Sequence, residues 1–445
     1  MIVSVFVIIF VLYISFLLLK HTYRKSNGIY LNVFYISYYI LQLAIACIIL
    51  CFDSDFRLWN DYNTKLSSAI IPFSFAILTA NIGFMLGNSF SRKFVKQKYS
   101  IPIENQLEII SEKYNLRQLS FFFLILFSFS ILTSLDISYA IAVFALTFSF
   151  SPIFVGFLWR KLSKTDKRLW ILFLAINVAF HTMQGSRGSA LFPVIFAILG
   201  YLVSIKHLKT LFKRKLILFV LIGLVTMPML SFIASFREIN GRGMEVSMDT
   251  FISMIEFAQE EHKVADEGND LNQTLGRMLI QSNVSTPLLS PEPVPFRYFD
   301  SFGDEIISIF SLSGESGRDD FNKRRENLGF GTGVATRYGY HVTDTTSVEW
   351  PIFADALSRF GYWGLFIYSF LFAWFLSFLE KKCINMMGKN ALLSLTLHLF
   401  VLYNGVLSYM FSYYAFMKLL VFRLPLVLFS VWMFSKLIKR KHITL

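Results

Sequence analysis

Cysteine is nearly missing from this chain. Cys47, Cys51 and Cys383 are the three in 445 residues, too few for a disulfide framework. Cys47 and Cys51 stand four apart inside an apolar run, where thiols act as small hydrophobes; as a metal pair they lack a nearby His or carboxylate. Charge is scarce as well, at 16% of residues. Alternating strands of about ten residues, which an outer-membrane barrel requires, do not occur. Between Arg237 and Phe360 there is no HExxH, GxSxG or DxD, so zinc-protease, hydrolase-fold and metal-nucleotide-sugar chemistry find no support there.

What fills the chain is apolar. Hydrophobic residues make up 55%, and mean hydropathy is +0.55. Uncharged stretches approach or exceed the roughly 18 to 20 residues that a helix needs to cross a bilayer. Spans are expected at about Ile2–Leu19, Tyr30–Phe52, Ser67–Phe90, Gln118–Leu135, Ser138–Trp159, Leu169–Met183, Ser189–Ile205, Leu216–Phe236, Gly361–Leu379, Ala391–Ser408 and Leu419–Phe434. The first has no basic leader and no small-residue cleavage site, so it reads as a retained span. The expected class is an all-α polytopic membrane protein of about 11 transmembrane helices, with one large extracytoplasmic loop of short helices and irregular segments. Three regions follow: 1–236 as an N-terminal bundle of about eight spans, 237–360 as the loop, and 361–445 as a C-terminal bundle of about three.

The formal charge of +13 is distributed unevenly. Lys and Arg crowd alternate loops, among them Lys20, Arg24 and Lys25, the 92–117 loop, the 160–168 loop, the 206–215 loop, Lys381 and Lys382, and the tail from Lys436. By the positive-inside rule these loops face the cytoplasm, with the N-terminus outside and the C-terminus inside. The positive balance belongs to that face, and no nucleic-acid partner is expected. The 237–360 segment holds twenty acids against eleven bases, nine of them Arg. Arg presents a planar fork suited to phosphate and carboxylate, whereas Lys is a point charge. Within this segment "SMDTFISMIEFAQEEH" and "NDLNQTLGRMLIQS" read as amphipathic helices and "SFGDEIISIF" as a short capped one. "WPIFADALSRFGYWG" starts a helix at Pro351 that feeds the ninth span.

Three constellations carry possible chemistry. In "HTMQGSRGSALFP", Arg187 stands between two uncharged runs, flanked by Gly185 and Gly188. It reads either as a solvated charge in a tight outward turn or as an anion site that the flanking helix ends assist. His181 is an accessory candidate beside it. In "RENLGFGTGVATRYGYHVTDTTSVEWPIFAD" the Gly329, Gly331 and Gly333 pattern lacks the strand–helix context of a nucleotide site. Arg324, Arg325, Arg337, His341, Asp344, Glu349 and Asp355 place acid, base and anion-binding groups on a loop entering a span. The bland alternative is a solvated polar loop, with Asp355 and Arg359 an ordinary i,i+4 pair. Third, Arg237 and Arg242 in "SFREINGRGMEV" stand at the outward mouth of the eighth span, as phosphate ligands or as snorkelling side chains. Arg423 precedes Pro425 near the start of the final span. His398 and Asn404 in the tenth read as interhelical hydrogen bonders.

The span count, the one long outer loop late in the chain, "QGSRGSALFP" and "DTTSVEWPIFADALSRFGYWG" together resemble the bacterial Wzy-type oligosaccharide repeat-unit polymerases. Some members carry paired Arg-x10-Gly motifs; here Arg318 and Gly329 fit once, and neither Arg187 nor Arg242 has Gly at that spacing. The resemblance implies a plasma-membrane glycosyltransferase acting on the outer side. It would move a glycan from undecaprenyl pyrophosphate to a sugar hydroxyl of another lipid-linked repeat unit, in O-antigen or capsule synthesis. Arg187, Arg237, Arg242 and Arg423 would bind the pyrophosphate, His341 or Glu349 would serve as base, and Arg337 would support either. No cofactor or metal is expected. Expected partners are undecaprenyl-pyrophosphate-linked oligosaccharides, the lipid bilayer and a chain-length regulator. Two alternatives remain open: an O-antigen ligase with lipid A–core as acceptor, and a polysaccharide or lipid transporter or flippase.

Overall fold

The computed structural model describes residues 2–25, 31–52, 55–58, 61–94, 103–132, 147–184, 187–205, 352–386, 390–407 and 419–438, with isolated positions 249, 252, 253, 256, 298 and 299. Apart from one hairpin and a few turn positions these residues are helical. The helices are α1 (Ile2–Lys25), α2 (Leu31–Phe52), α3 (Leu66–Phe94), α4 (Ile103–Lys113), α5 (Leu116–Leu132), α6 (Ser151–Leu158), α7 (Lys164–Met183), α8 (Arg187–Val203), α9 (Ile352–Met386), α10 (Ala391–Leu407) and α11 (Leu424–Ile438). A short antiparallel pair, β1 (Arg57–Leu58) and β2 (Asp61–Lys65), joins α2 to α3. Among the described residues two stretches, Leu66–Ser91 and Phe353–Lys382, are long and apolar enough to cross a membrane by length and composition. The expected eighth span, Leu216–Phe236, lies outside the described residues.

The chain divides into two compact units that interleave the sequence. The first contains 1–100, 275–386 and 404–425. Its core is the contact of α3 with α9. Gly83 and Gly87 make it possible: a Cβ on Gly83 would stand 2.8 Å from Ser369 Cβ, and one on Gly87 would strike the Phe370 carbonyl oxygen. Small residues at four-residue spacing let two backbones approach where larger side chains would hold them apart. A polar thread crosses the same core. Asn32 Nδ2 donates to Ser377 Oγ (2.7 Å), and Ser377 Oγ donates to Asn88 Oδ1 (2.8 Å), tying α2, α9 and α3 together. Asn81 Nδ2 donates to Ser15 Oγ of α1 (2.9 Å).

The second unit contains 101–274, 387–403 and 426–445. Here α6 and α8 meet through Gly156 and Gly200, each set against a main-chain carbonyl of the other helix, Ala197 O and Ile153 O. Phe123 of α5 stacks on Phe154 at 4.1 Å, and Trp170 Nε1 of α7 donates to Ser120 Oγ at 2.9 Å. Ser163 caps α7, accepting from the Asp166 amide (3.1 Å) while its hydroxyl donates to the Asp166 carboxylate (2.7 Å). The expected fifth span, Ser138–Trp159, is not one helix across its described part: residues 148–150 form a turn and the helix starts at Ser151. Pro152 explains the break, since it supplies no N–H to a preceding turn and fits only a first helical turn.

Both units leave large apolar side chains exposed around a core that is itself mainly apolar. On α1, Phe6, Ile9, Phe10, Tyr13 and Phe16 are exposed, while Ser15 and Thr22 are buried. On α7, Ile171, Leu172 and Ile176 are exposed, whereas Asn177, His181 and Thr182 are buried.

Candidate functional site

Two places in the described residues carry polar chemistry at the end of an apolar helix, one in each unit. In the first unit the site is built on α9. The run FADALSR is buried on every side, from Phe353 to Arg359. Immediately afterwards Phe360 and Gly361 leave helical geometry, Gly361 taking φ 60° and ψ −144°, a backbone that only glycine adopts readily. Gly364 then allows the bent chain to close on itself, since a Cβ there would lie 2.5 Å from Ala356 O and 2.7 Å from Phe360 Cβ. The outcome is a short buried helix turned against the head of a long one.

Arg359 is the most deeply buried charge here, at 0% exposure. Its Nε donates to both oxygens of Asp355, at 3.3 and 3.2 Å. One terminal nitrogen donates to the main-chain oxygen of Tyr298 at 3.0 Å, and the Tyr298 amide donates back to Arg359 O at 3.2 Å. A guanidinium out of water needs both an opposite charge and acceptors for its remaining hydrogens, and this arrangement supplies both kinds of partner. The Tyr298 and Phe299 rings lean edge-on against Phe360, at 5.7 and 5.4 Å between centroids. Below the short helix Tyr35, Tyr39, Phe84, Phe353, Leu365, Tyr368, Ser369 and Phe372 line a water-sized cavity. Tyr35 stacks on Phe84 at 5.2 Å, and Phe353 meets Tyr39 at 5.1 Å. Full burial makes Arg359 a structural cation, closed to a ligand's phosphate.

The second place is the hairpin between α7 and α8. Arg187 is the first residue of α8. The first turn of a helix presents main-chain N–H groups without intrahelical acceptors, and the helix dipole favours an anion there. Asn177 Nδ2 of α7 donates to Ser189 O at 2.9 Å, which closes the hairpin. His181 is buried, and its Nδ1 lies 3.1 Å from Oε1 of Gln184, the residue that ends α7.

Arg423 terminates a π-helical turn, Leu419–Arg423, directly before α11. Pro425 in the first turn of α11 has no N–H for the carbonyl four residues back, and the widened turn accommodates that loss. Arg237, Arg242, Arg337, His341 and Glu349 lie outside the described residues, as do Arg324, Arg325 and Asp344. Among the described residues no three His, Cys, Asp or Glu side chains gather as a metal site.

Sequence reasoning named Asp355 and Arg359 as an i,i+4 pair, and they are one. It missed that the pair is buried and tied to Tyr298 across 61 positions of chain. The only local signal was Phe-Gly after the Arg, a possible helix break. No family model, curated protein or solved structure matches this chain.

Proposed function

We propose that this chain is a polytopic plasma-membrane glycosyltransferase of the Wzy type, polymerising lipid-linked oligosaccharide repeat units on the outer face. The observation that carries the reading is the amount of large apolar side chain left exposed on the helices. Helices that carry Phe, Ile and Leu on their outer faces as well as in the core, with Asn, Ser and His among the buried residues, are suited to lipid, because water would leave that much apolar surface unfavourably exposed. The close approaches of α9 at Gly83 and Gly87, and of α6 and α8 at Gly156 and Gly200, support it, since small residues govern helix association where no hydrophobic drive exists. The eleven spans, the N-outside orientation and the outer 237–360 segment are part of the same proposal.

The chemistry asked of the chain is modest. As the bond between the anomeric carbon and pyrophosphate breaks, negative charge collects on the departing phosphates, and oriented guanidiniums stabilise it. Arg187, at the head of α8, takes that role with Arg237, Arg242 and Arg423. A base, His341 or Glu349, accepts the proton of the attacking sugar hydroxyl, and Arg337 supports either step. The chain needs no metal where guanidiniums neutralise the pyrophosphate. Lipid-linked repeat units and a chain-length regulator are its partners.

Deletion of the gene is expected to replace a glycan ladder by single repeat units on the cell surface. Complete loss of attached O-antigen would instead identify a ligase. With Arg187→Ala, expressed at the normal level, polymer yield and length are expected to collapse; unchanged polymer rejects the assignment.

A transporter is the second reading, and broken helices favour it. The turn at 148–150, the kink at Phe360–Gly361 and the π turn at Leu419–Arg423 interrupt three apolar segments, as transporter sites do. Movement of labelled lipid-linked sugar by purified protein in vesicles, without any polymer, decides for it.

A further inference from the structure

We propose that the Tyr298–Phe299 turn is a membrane-interface anchor, its rings resting in the headgroup region of a phospholipid bilayer and held at the kink of α9 by the buried Arg359–Asp355 pair. The inference rests on the bilayer reading above and goes beyond it, because the 237–360 segment is otherwise expected to belong to water.

Three separate ties fix the turn. The Arg359 guanidinium holds Tyr298 O at 3.0 Å, Tyr298 N returns a bond to Arg359 O at 3.2 Å, and both rings contact Phe360. Tyr298 adopts φ 45°, a region that a non-glycine residue occupies only where its surroundings hold it. The turn is therefore set at the head of the long part of α9. From that head downward Trp363, Ile367 and Leu371 recur every four residues, and all three are exposed. This spacing makes one continuous stripe on a helix face. On a helix long and apolar enough to cross a membrane, the stripe faces lipid, and its uppermost member is a tryptophan at 77% exposure.

Trp and Tyr concentrate at the boundary between headgroups and acyl chains, where an apolar ring and a polar tip are both accommodated. Phe299, at 72% exposure, leans on Phe360 three positions before that tryptophan. From Phe360 to Leu371 the chain has no charged residue, while Arg297 and Asp300 flank the turn in sequence. Apolar rings toward the acyl region with charges on either side match an interfacial segment. The ion pair keeps the clamp inside the protein, so that the rings alone reach outward.

The test is spin-label accessibility in the full chain, reconstituted in phosphatidylethanolamine–phosphatidylglycerol vesicles. Cys47, Cys51 and Cys383 are replaced by Ser, and single labels are placed by Arg297→Cys beside the intact turn, Leu371→Cys on the stripe and Ser253→Cys as the aqueous reference. Access of a water-soluble nickel chelate to position 297 is expected to be several-fold lower than at 253, and oxygen access lower than at 371. Adding Phe299→Asp is expected to raise nickel access at 297 to the level at 253. So is Asp355→Leu with Arg359→Met, a double replacement that strands no buried charge. Equal nickel access at 297 and 253 in the parent, with 371 still oxygen-rich, overturns the anchor and leaves the bilayer reading standing. A nickel-accessible 371 overturns the bilayer reading and the anchor together. Unchanged access at 297 in the double variant removes the ion pair from the proposal.

Discussion

Two ion pairs in the first unit make an instructive contrast. Lys65 and Asp55 approach to 2.6 Å beside the hairpin, with side chains 48% and 76% exposed. Arg359 and Asp355 meet at 3.2 Å and are 0% and 8% exposed. The shorter pair is the weaker contributor. In water its attraction is screened, and holding two solvated side chains together offsets most of the gain. The longer pair has given up its hydration, so each member depends on the other and on Tyr298 O. Distance alone ranks the two in the wrong order; burial and the number of partners rank them correctly.

The largest expected effect comes from breaking the buried pair on one side. Asp355→Ala leaves the guanidinium buried without its counter-charge and is expected to lower stability by about 3–5 kcal/mol. Thermal unfolding in detergent, followed by intrinsic fluorescence, checks it, and a shift no larger than that of Lys65→Gln would erase the contrast. Asp355→Asn keeps an acceptor at the same place and removes the charge. A loss of about 1.5–3 kcal/mol is expected, the range for a hydrogen bond to a charged group. Asp355→Leu with Arg359→Met removes both charges and is expected to recover most of the stability lost in the single variants, because packed apolar groups replace a buried pair at little or no loss. Were the double variant as unstable as Asp355→Ala, the effect would lie in packing rather than charge.

Smaller still, Lys65→Gln is expected to change stability by under about 1 kcal/mol. Raising salt toward 1 M, where the screening length is about 3 Å, is expected to abolish even that difference and to leave the Asp355→Ala deficit in place. A deficit that shrinks equally in salt would mean that water reaches Arg359.

Much of the helical layout was legible because apolar length is written directly into composition. Expected spans Tyr30–Phe52 and Ser67–Phe90 correspond to α2 and α3, and Ala391–Ser408 to α10, with ends moved by four residues or fewer. Gly361, chosen as the start of the ninth span, is the kink itself. What escaped was set by contacts rather than by local pattern. Helix α4 falls in a loop counted only for its charge; Leu107 and Ile110 turn inward and Glu108 and Glu112 outward. The β1–β2 hairpin is too short for a period-two signal to accumulate. Gly83, Gly87, Gly156 and Gly200 were not singled out, because a glycine's importance in a span depends on the backbone opposite it.

For the candidate site the division is sharper. Arg187 stands out in the sequence as a lone charge between two apolar runs, and the structure adds that it is the first residue of α8. The pairing of Arg359 with Tyr298 was not legible, because neither residue type marks its partner so far away along the chain. Residue identity told which groups were present but not which were withdrawn from water, and withdrawal decides what a charge does.

The paired glycines of α6 and α8 have a mechanical consequence. Gly156 lies against Ala197 O while Gly200 lies against Ile153 O, so each helix is notched where the other's backbone protrudes. Sliding either helix by about a turn would bring a larger side chain of the same face, such as Phe196 four positions before Gly200, toward a carbonyl in place of a hydrogen atom. The crossing therefore behaves as a detent: the two rods can part, but neither can ratchet along the other while they remain seated.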